Sequence, residues 1–357
     1  APDLVLPGRP AGTMIPTPSL VVDLAAFDHN VDEMARERPG SALRPHVKAF
    51  KSTALARRLR DRGGHRSFCC ATLREMEGMV DAGLGEDLLL ANETLDAERL
   101  GRLVRRSPGR VTVAVDSEAT LEVAARASAS VLVDVDVGMP RCGCPPEEAG
   151  PLAALATSRG VEVRGVMGYE GHVVGDPDRT RRAAEVKRSM DVLRRAFDDV
   201  AGAVGGGELL VSAGGTGTYD LHDWAHEVQA GSYALMDSHY EQLGLPFRQA
   251  LFVVGTVISV GAGRAVADVG LKALGMDHGN PSIDGERGPA GDVWFCSDEH
   301  TTFAAPADAP DRELPEVGER LRLVPAHVDP TVAYHERFLV LDGDEVVDEW
   351  PIDLRGW

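Results

Sequence analysis

The feature that most constrains the fold is a repeated alternation of two kinds of segment through the first 240 or so residues. Short runs rich in β-branched residues are followed by amphipathic stretches rich in Ala, Arg, Glu and Leu. Apolar strands that alternate with helices are typical of a parallel sheet covered by helices. At least eight repeats in about 220 residues favour a closed (β/α)8 TIM barrel over an open sheet. Nine candidate strands are present, so one is misassigned or lies outside the barrel. They are Ser19–Leu24, Ala42–Ala49, Ser67–Thr72, Asp87–Ala91, Arg110–Asp116, Val131–Val137, Val161–Gly168, Leu209–Ala213 and Glu227–Leu235.

The pattern changes after about residue 245, where strand-like runs are separated by Gly, Pro and Asp turns with little helical periodicity. This pattern predicts an antiparallel β domain. We therefore expect a barrel over residues 16–245 and a β domain over residues 246–357, with residues 1–15 packed on the latter. The stretch Gly275–Gly291 is rich in Gly, Pro and Asp and is predicted to be a long loop. The strand-like runs are Phe252–Val260, Ala265–Val269, Asp292–Phe295, Arg320–Val324 and Arg337–Leu341.

Charge and cysteine content exclude several classes of function. The formal net charge is −19, which repels nucleic-acid phosphates and anionic membranes. No apolar run approaches the ~18 residues of a membrane span, and the N-terminus lacks the basic and apolar regions of a signal peptide. Five cysteines, an odd number, do not indicate a disulfide framework. The sequence therefore predicts a cytoplasmic protein that acts on a small molecule, with no nucleic-acid or membrane partner.

The segment RPHVKAFKS places unusual residues at the end of the second candidate strand. Alternation along a strand puts Arg44, His46 and Lys48 on one face. Three cationic or titratable groups do not make an apolar core layer, so they need an anion or a cofactor. A lysine among cations loses proton affinity, and its neutral amine becomes available for imine chemistry. A salt-bridged structural lysine is the alternative interpretation.

Two glycine-containing motifs follow the last predicted barrel strands, where barrels often bind phosphate. SAGGTGTY provides Gly214, Gly215 and Gly217 for close backbone approach, with hydroxyls on Thr216 and Thr218. GSY, residues 231–233, gives a second cluster of backbone N–H groups. Such groups can bind a phosphate, especially before a helix N-terminus. The alternative is that both motifs are ordinary turns.

Titratable side chains also follow other strands. Arg141 comes after one strand, and Tyr169 and His172 belong to the GYEGH motif after the next. His172 is a candidate general base, or else a solvated loop histidine. His327 and Asp329 share a face if their segment is an extended strand. One imidazole and one carboxylate can hold a divalent ion, with Mn²⁺ or Mg²⁺ favoured and Zn²⁺ acceptable; an ordinary surface pair is the alternative.

Taken together, eight ordered motifs resemble the D-threonine aldolase and D-serine dehydratase family. Its members are fold-type III, alanine-racemase-like enzymes that use pyridoxal 5′-phosphate (PLP). The resemblance runs from about Pro16 to Thr331, nearly the whole chain. The motifs are TPSLVVDL, RPHVKAFKS, VDVDVGMPRCG, GYEGH, SAGGTGTY, EVQAGSYALMD, SDEHTTF and PAHVDP.

The resemblance implies a role for each candidate residue. Lys48 would bind PLP covalently, Arg141 would lie near the pyridine nitrogen, and His172 would stand close to the metal as a catalytic residue. The remaining cofactor-binding residues would be His46, Tyr169, Gly214, Gly215, Thr216, Gly217, Gly231, Ser232 and Tyr233, and the metal ligands would be His327 and Asp329.

The implied activity is metal-dependent retro-aldol cleavage of a D-3-hydroxy amino acid to glycine and an aldehyde, by a homodimer. Asp329 favours the aldolases, because D-serine dehydratases tend to carry Cys at this position. Phe50 stands where family members often have His. A D-serine or D-3-hydroxyaspartate dehydratase remains the first alternative. An amino-acid racemase or a non-catalytic PLP-binding protein is the second.

Overall fold

The computed structural model describes residues 14–285 and 288–357, so most of the segment expected to pack on the β domain, residues 1–15, lies outside the described residues. The described chain forms two compact units. One contains residues 14–33, 49–54 and 232–353, and includes the first strand, β1 (Ser19–Asp23). The other contains residues 34–48, 55–231 and 354–357.

The second unit is built on seven parallel strands whose order in the sheet follows their order in the sequence. Apolar side chains of neighbouring strands, among them Cys69, Leu89 and Leu132, form a fully buried cluster. The strands are β2 (Ser67–Cys70), β3 (Asp87–Leu90), β4 (Arg110–Val115), β5 (Ser130–Asp134), β6 (Val163–Gly168), β7 (Leu210–Ala213) and β8 (Glu227–Val228).

An irregular segment, residues 43–46, joins the two edges of this sheet. Leu43 forms a parallel bridge with Val228 on β8, and His46 forms one with Cys69 on β2. The Arg44 N–H donates to the Val228 carbonyl at 2.9 Å, and the Cys69 N–H donates to the Pro45 carbonyl at 2.9 Å. The eight segments thus form a closed ring, which confirms the predicted barrel. Pro45 has no N–H to donate, and the segment runs into a 3₁₀ turn, so it is not a regular strand.

Several helices begin at polar side chains that bind the free N–H groups of the first turn. Thr72 accepts from the Glu75 N–H, Asp96 accepts from the Arg99 N–H, and Ser117 forms a capping box with Thr120. Within the described residues, no helix is long and apolar enough to cross a membrane. The helices are α1 (Leu24–Glu37), α2 (Thr53–Gly63), α3 (Leu73–Asp81), α4 (Ala97–Arg106), α5 (Glu118–Ala127), α6 (Ala149–Ser158), α7 (Arg179–Val204), α8 (Ser238–Glu241) and α9 (Val328–Tyr334).

Arg44 lies inside the barrel and finds its anions within the chain. It is 1% exposed, and its Nε donates to Glu227 Oε1 at 2.7 Å. Its two terminal nitrogens each lie 3.2 Å from an oxygen of Asp87. Arg164 donates to the same Asp87 carboxylate, and Ser212 Oγ donates to Glu227 at 2.7 Å. The predicted need for an anion is therefore met, for Arg44, by two carboxylates of the barrel.

The other unit contains a nine-stranded sheet in the order β10-β13-β12-β11-β14-β9-β1-β15-β16. All neighbours are antiparallel except β1 and β15, which confirms the predicted antiparallel β domain. β1 is the one of the nine candidate strands that lies outside the barrel, and it pairs with β9 and β15. The other strands of this sheet are β9 (Leu251–Gly261), β10 (Arg264–Ala267), β11 (Ser282–Gly285), β12 (Gly288–Cys296), β13 (Thr301–Ala304), β14 (Arg320–Val324), β15 (Arg337–Asp342) and β16 (Glu345–Pro351).

The prediction of one long loop over Gly275–Gly291 was wrong in its second half. β11 and the start of β12 fall there, because Ser282 pairs with Val324 on β14 and Ile283 pairs with Gly291. Pairing with neighbours on both sides overrides the weak strand propensity of a Gly- and Pro-rich sequence.

The buried ion pair of Arg44 generates a stability prediction. We expect Glu227→Gln to lower the free energy of unfolding by about 3 kcal/mol, because it leaves part of a buried guanidinium charge uncompensated. The matched control is Glu86→Gln in the exposed Arg66–Glu86 pair, where the loss should not exceed about 1 kcal/mol. Urea unfolding followed by circular dichroism measures both. Equal losses in the two variants would contradict the role given to the Arg44 network.

Candidate active site and metal centre

Lys48 lies in the 3₁₀ turn Val47–Ala49 that follows the closing segment of the barrel, and it is half-buried. Its backbone N–H lies 3.5 Å from Nδ1 of His46, which is 8% exposed. The sequence contains four lysines. Lys187 and Lys272 are 75% and 71% exposed and pair with surface carboxylates, whereas Lys51 belongs to the other unit. Lys48 is therefore the half-buried lysine at the end of the segment that closes the barrel.

The glycine-rich loop after β7 needs its glycines. Gly214 has φ +78°, and a Cβ there would lie 2.7 Å from Nε2 of His222. The Gly215 N–H, one of the predicted phosphate donors, is used within the loop, where it donates to Thr218 Oγ1 at 3.2 Å. Thr216, Gly217 and Thr218 form a buried 3₁₀ turn. The loop is thus a tight, internally bonded turn that only small residues allow.

A fully buried acid–base pair holds this loop in place. Glu170 Oε1 accepts from Thr218 Oγ1 at 2.7 Å and lies 2.8 Å from Nε2 of His222. Burial alone would raise the pKa of Glu170, but the charge and hydrogen bond of His222 and the hydrogen bond of Thr218 hold it below its usual range. Glu170 was not among the residues predicted from the sequence, although it stands between Tyr169 and His172 in the GYEGH motif.

Three more predicted residues gather after β5 and β6. The Arg141 guanidinium lies 5.6 Å from the centre of the Tyr169 ring, a cation–π contact. His172 is exposed, and its ring lies against Gly138, where an added Cβ would be 3.0 Å from Cε1. Gly138 has φ +122°, a backbone conformation that favours glycine. These residues lie at the carboxyl ends of barrel strands, where barrel enzymes carry their chemistry.

The second predicted phosphate motif is divided between the two units. Gly231 ends the barrel unit, three residues after β8, and is buried. Ser232 and Tyr233 begin the other unit's segment and are 9% and 0% exposed. Burial raises the pKa of the Tyr233 hydroxyl, so it stays protonated at neutral pH.

His327 and Asp329 do come together, but not on an extended strand as predicted. His327 is the residue before α9, and Asp329 lies in the first turn of that helix. Nε2 of His327 is 3.6 Å from Oδ2 of Asp329. Asp237 fixes the start of the helix, because its Oδ2 accepts from the Val328 N–H at 2.9 Å.

Two residues that the sequence analysis missed complete this cluster. Oδ2 of Asp277 lies 2.6 Å from Nδ1 of His327. The His278 ring stacks on the His327 ring, with centres 4.1 Å apart and planes within 4°. Ligand atoms of Asp277, His278 and His327 all lie within 4.8 Å of one another. Their only signal was MDHG inside the Gly- and Pro-rich stretch assigned as a loop.

The charges of this cluster suit a cation. Burial would lower the pKa of His327, but Asp329 and Asp277 raise it above its usual value. Burial and the nearby His327 charge lower the pKa values of His278 and His239. Imidazole nitrogens beside carboxylate oxygens are donors that divalent ions such as Mn²⁺ and Zn²⁺ accept. The residues present therefore fit a divalent metal.

The chain is similar in sequence to known enzymes along nearly its whole length. Residues 22–239 match the family model for the alanine racemase N-terminal domain, and residues 250–341 match a serine dehydratase domain model. The chain is 36% identical to the D-threonine aldolase of an Arthrobacter species, over 98% of this chain and 95% of that protein. It is 32% identical to the 3-hydroxy-D-aspartate aldolase of Paracoccus denitrificans, over 96% and 92% of the two chains.

A solved structure agrees with these matches. The crystal structure of D-threonine aldolase from Filomicrobium marinum superposes with a TM-score of 0.86 and 33% identity, covering 96% of this chain and 95% of that one. The likeness thus extends over the barrel and the β unit alike. The chain belongs to the alanine-racemase-like family, in the group that contains D-threonine aldolase.

Proposed function

We propose that the protein is a lyase that uses PLP and a divalent metal to cleave D-3-hydroxy amino acids to glycine and an aldehyde. The observation that carries this proposal is the His327–Asp329 pair, whose nitrogen and oxygen lie 3.6 Å apart in a chain that matches a D-threonine aldolase over 98% of its length. A racemase does not need such a pair.

Most of the residues assigned to PLP belong to the barrel unit, whereas Ser232 and Tyr233 belong to the other unit. Lys48 would hold the cofactor covalently, and Arg141, Tyr169 and His46 would surround its ring. The loop Gly214–Gly217 and the segment Gly231–Tyr233 would hold its phosphate. The small residues of the loop support this fit, because a Cβ on Gly214 would clash with His222 and change the path of the backbone. PLP, when bound, takes up the electrons of the bond that breaks. A hydrogen bond from the Arg141 guanidinium would leave the pyridine nitrogen unprotonated and would limit side reactions.

The β unit supplies the metal ligands His327 and Asp329, with Mn²⁺ or Mg²⁺ favoured and Zn²⁺ acceptable. A bound divalent ion lowers the pKa of a hydroxyl group that coordinates it. His172 would accept the proton of the substrate's β-hydroxyl, which allows the Cα–Cβ bond to break.

A second candidate is α,β-elimination, as in a D-serine or D-3-hydroxyaspartate dehydratase. The match of residues 250–341 to a serine dehydratase domain model favours it. In that reaction Lys48 would remove the Cα proton. We rank cleavage above elimination because this chain has Asp329 at a position where dehydratases tend to carry Cys.

We further infer that the enzyme works as a homodimer in the cytoplasm, on a small amino-acid substrate. The homodimer is inferred from the resemblance to the family. The cytoplasm rests on the cysteines, because all five are free thiols, three of them buried.

Product analysis tests the proposed reaction. Purified protein with PLP and Mn²⁺ should release glycine and acetaldehyde from D-threonine but not from L-threonine, and EDTA should abolish the release. The products are measured by chromatography and a coupled aldehyde assay. Pyruvate and ammonia from D-serine, with no glycine from D-threonine, would identify the dehydratase instead. Interconversion of D- and L-amino acids, or intact PLP binding without turnover, would support the racemase or the non-catalytic protein.

The role of His172 gives a further prediction. We expect His172→Gln to lower kcat for D-threonine cleavage by about 10²–10⁴-fold, the usual contribution of a general base. The absorbance of bound PLP should not change, because His172 is exposed and distinct from the residues assigned to the cofactor. His29→Gln, on α1, serves as the matched control and should retain full activity. A loss of less than tenfold in His172→Gln would exclude it as the base.

A further inference from the structure

We propose that Asp277 is the positioning residue of the metal centre, holding His327 in the tautomer whose Nε2 lone pair faces the ion shared with Asp329. The inference rests on the metal site of the proposed function and assigns it a residue outside the predicted ligand pair.

The contact with Asp277 sets the tautomer of the His327 ring. Its Nδ1 lies 2.6 Å from Oδ2 of Asp277, a short hydrogen-bond distance. An ionised carboxylate can only accept, so Nδ1 must carry the proton. In the neutral imidazole the free lone pair then belongs to Nε2. Metal-binding histidines commonly donate their other N–H to a carboxylate, which fixes both tautomer and ring orientation.

The other ring nitrogen of His327, Nε2, faces Asp329. It lies 3.6 Å from Oδ2 of Asp329, beyond a normal hydrogen bond. Two donors that each bind one ion at about 2.1 Å lie no more than about 4.2 Å apart. The spacing of 3.6 Å is therefore suitable for Nε2 and the Asp329 oxygen to share an ion. Asp277 binds the opposite nitrogen of the same ring and occupies the orienting position.

Contacts with the helix α9 hold Asp277 in place. Its loop is fastened to α9, the helix that carries Asp329. The Gly275 N–H donates to Thr331 Oγ1 at 2.9 Å, and a Cβ on Gly275 would lie 2.3 Å from Cγ of Pro330. His335, just after the helix, lies with Nε2 2.9 Å from the Ala273 carbonyl. The loop and the helix therefore form one bonded framework.

Stacking fixes the remaining freedom of the ring. The His278 and His327 planes are within 4° of parallel, so His278 restricts rotation of the His327 ring about its bond to the backbone. Asp277 and His278 are adjacent in the loop, and together they define the ring's direction and its proton. This arrangement preorganises one ligand before the metal arrives.

Metal titration of the PLP-loaded protein, stripped with EDTA, tests the proposal. Mn²⁺ binding is measured by isothermal titration calorimetry in the wild type and in Asp277→Ala, Asp277→Asn, Asp329→Ala and Asp344→Ala. We expect Asp277→Ala to raise the Kd about 10–100-fold, the usual effect of removing such a partner. Asp277→Asn keeps an oxygen that can accept from Nδ1 and should recover most of the affinity. Asp344→Ala, in the exposed turn between β15 and β16, removes the same charge elsewhere and should change nothing.

A second readout needs no metal and no turnover. In ¹⁵N-histidine-labelled protein, the His327 resonances, assigned with a His327→Gln variant, should show the Nδ1-protonated form in the wild type and lose it in Asp277→Ala. Circular dichroism confirms that each variant is folded.

The outcomes separate this inference from the proposed function. A Kd within threefold of wild type in Asp277→Ala would overturn the positioning role. Loss of binding in Asp277→Asn as complete as in Asp329→Ala would make Asp277 a ligand and would also overturn it. Failure of the wild type to bind Mn²⁺ would remove the proposed metal site itself, and this inference with it.

Discussion

The barrel depends on one buried set of charges. Arg44 lies on the irregular segment that closes the ring, and its guanidinium reaches Glu227 on β8 and Asp87 on β3. A buried charge without a partner is costly, so these groups are satisfied only when the segment sits between the two edges of the sheet. The turn that carries Lys48 begins one residue after His46, at the end of that segment.

Periodicity was enough to predict the barrel strands but not the place of the first strand. Seven of the nine candidate strands became regular barrel strands and an eighth became the closing segment, because short apolar runs followed by amphipathic helices have few other stable arrangements. Ser19–Asp23 has the same apolar pattern, but it pairs with Leu251–Gly261 and Arg337–Asp342. Its partners lie more than 200 residues away in sequence, and local pattern carries no information about them.

The candidate site was predictable where residues stand beside glycine-rich motifs at strand ends. It was not predictable where a single side chain acts through a distant partner. Glu170 meets His222 across 52 residues, and Asp277 meets His327 across 50. His327 and Asp329 were predicted to share a face of an extended strand. They do lie together, but the start of a helix brings them there.

Lys48 is assigned as the residue that holds PLP, and the small number of lysines in the chain allows a direct test. Its four lysines are at positions 48, 51, 187 and 272. Reduction of the PLP-loaded protein with borohydride makes the cofactor–lysine bond permanent, and peptide mass spectrometry then locates it. We predict a single modification at Lys48, present in wild type and absent from Lys48→Ala. A modification at Lys51 or at a surface lysine, or none at all, would contradict the assignment of Lys48.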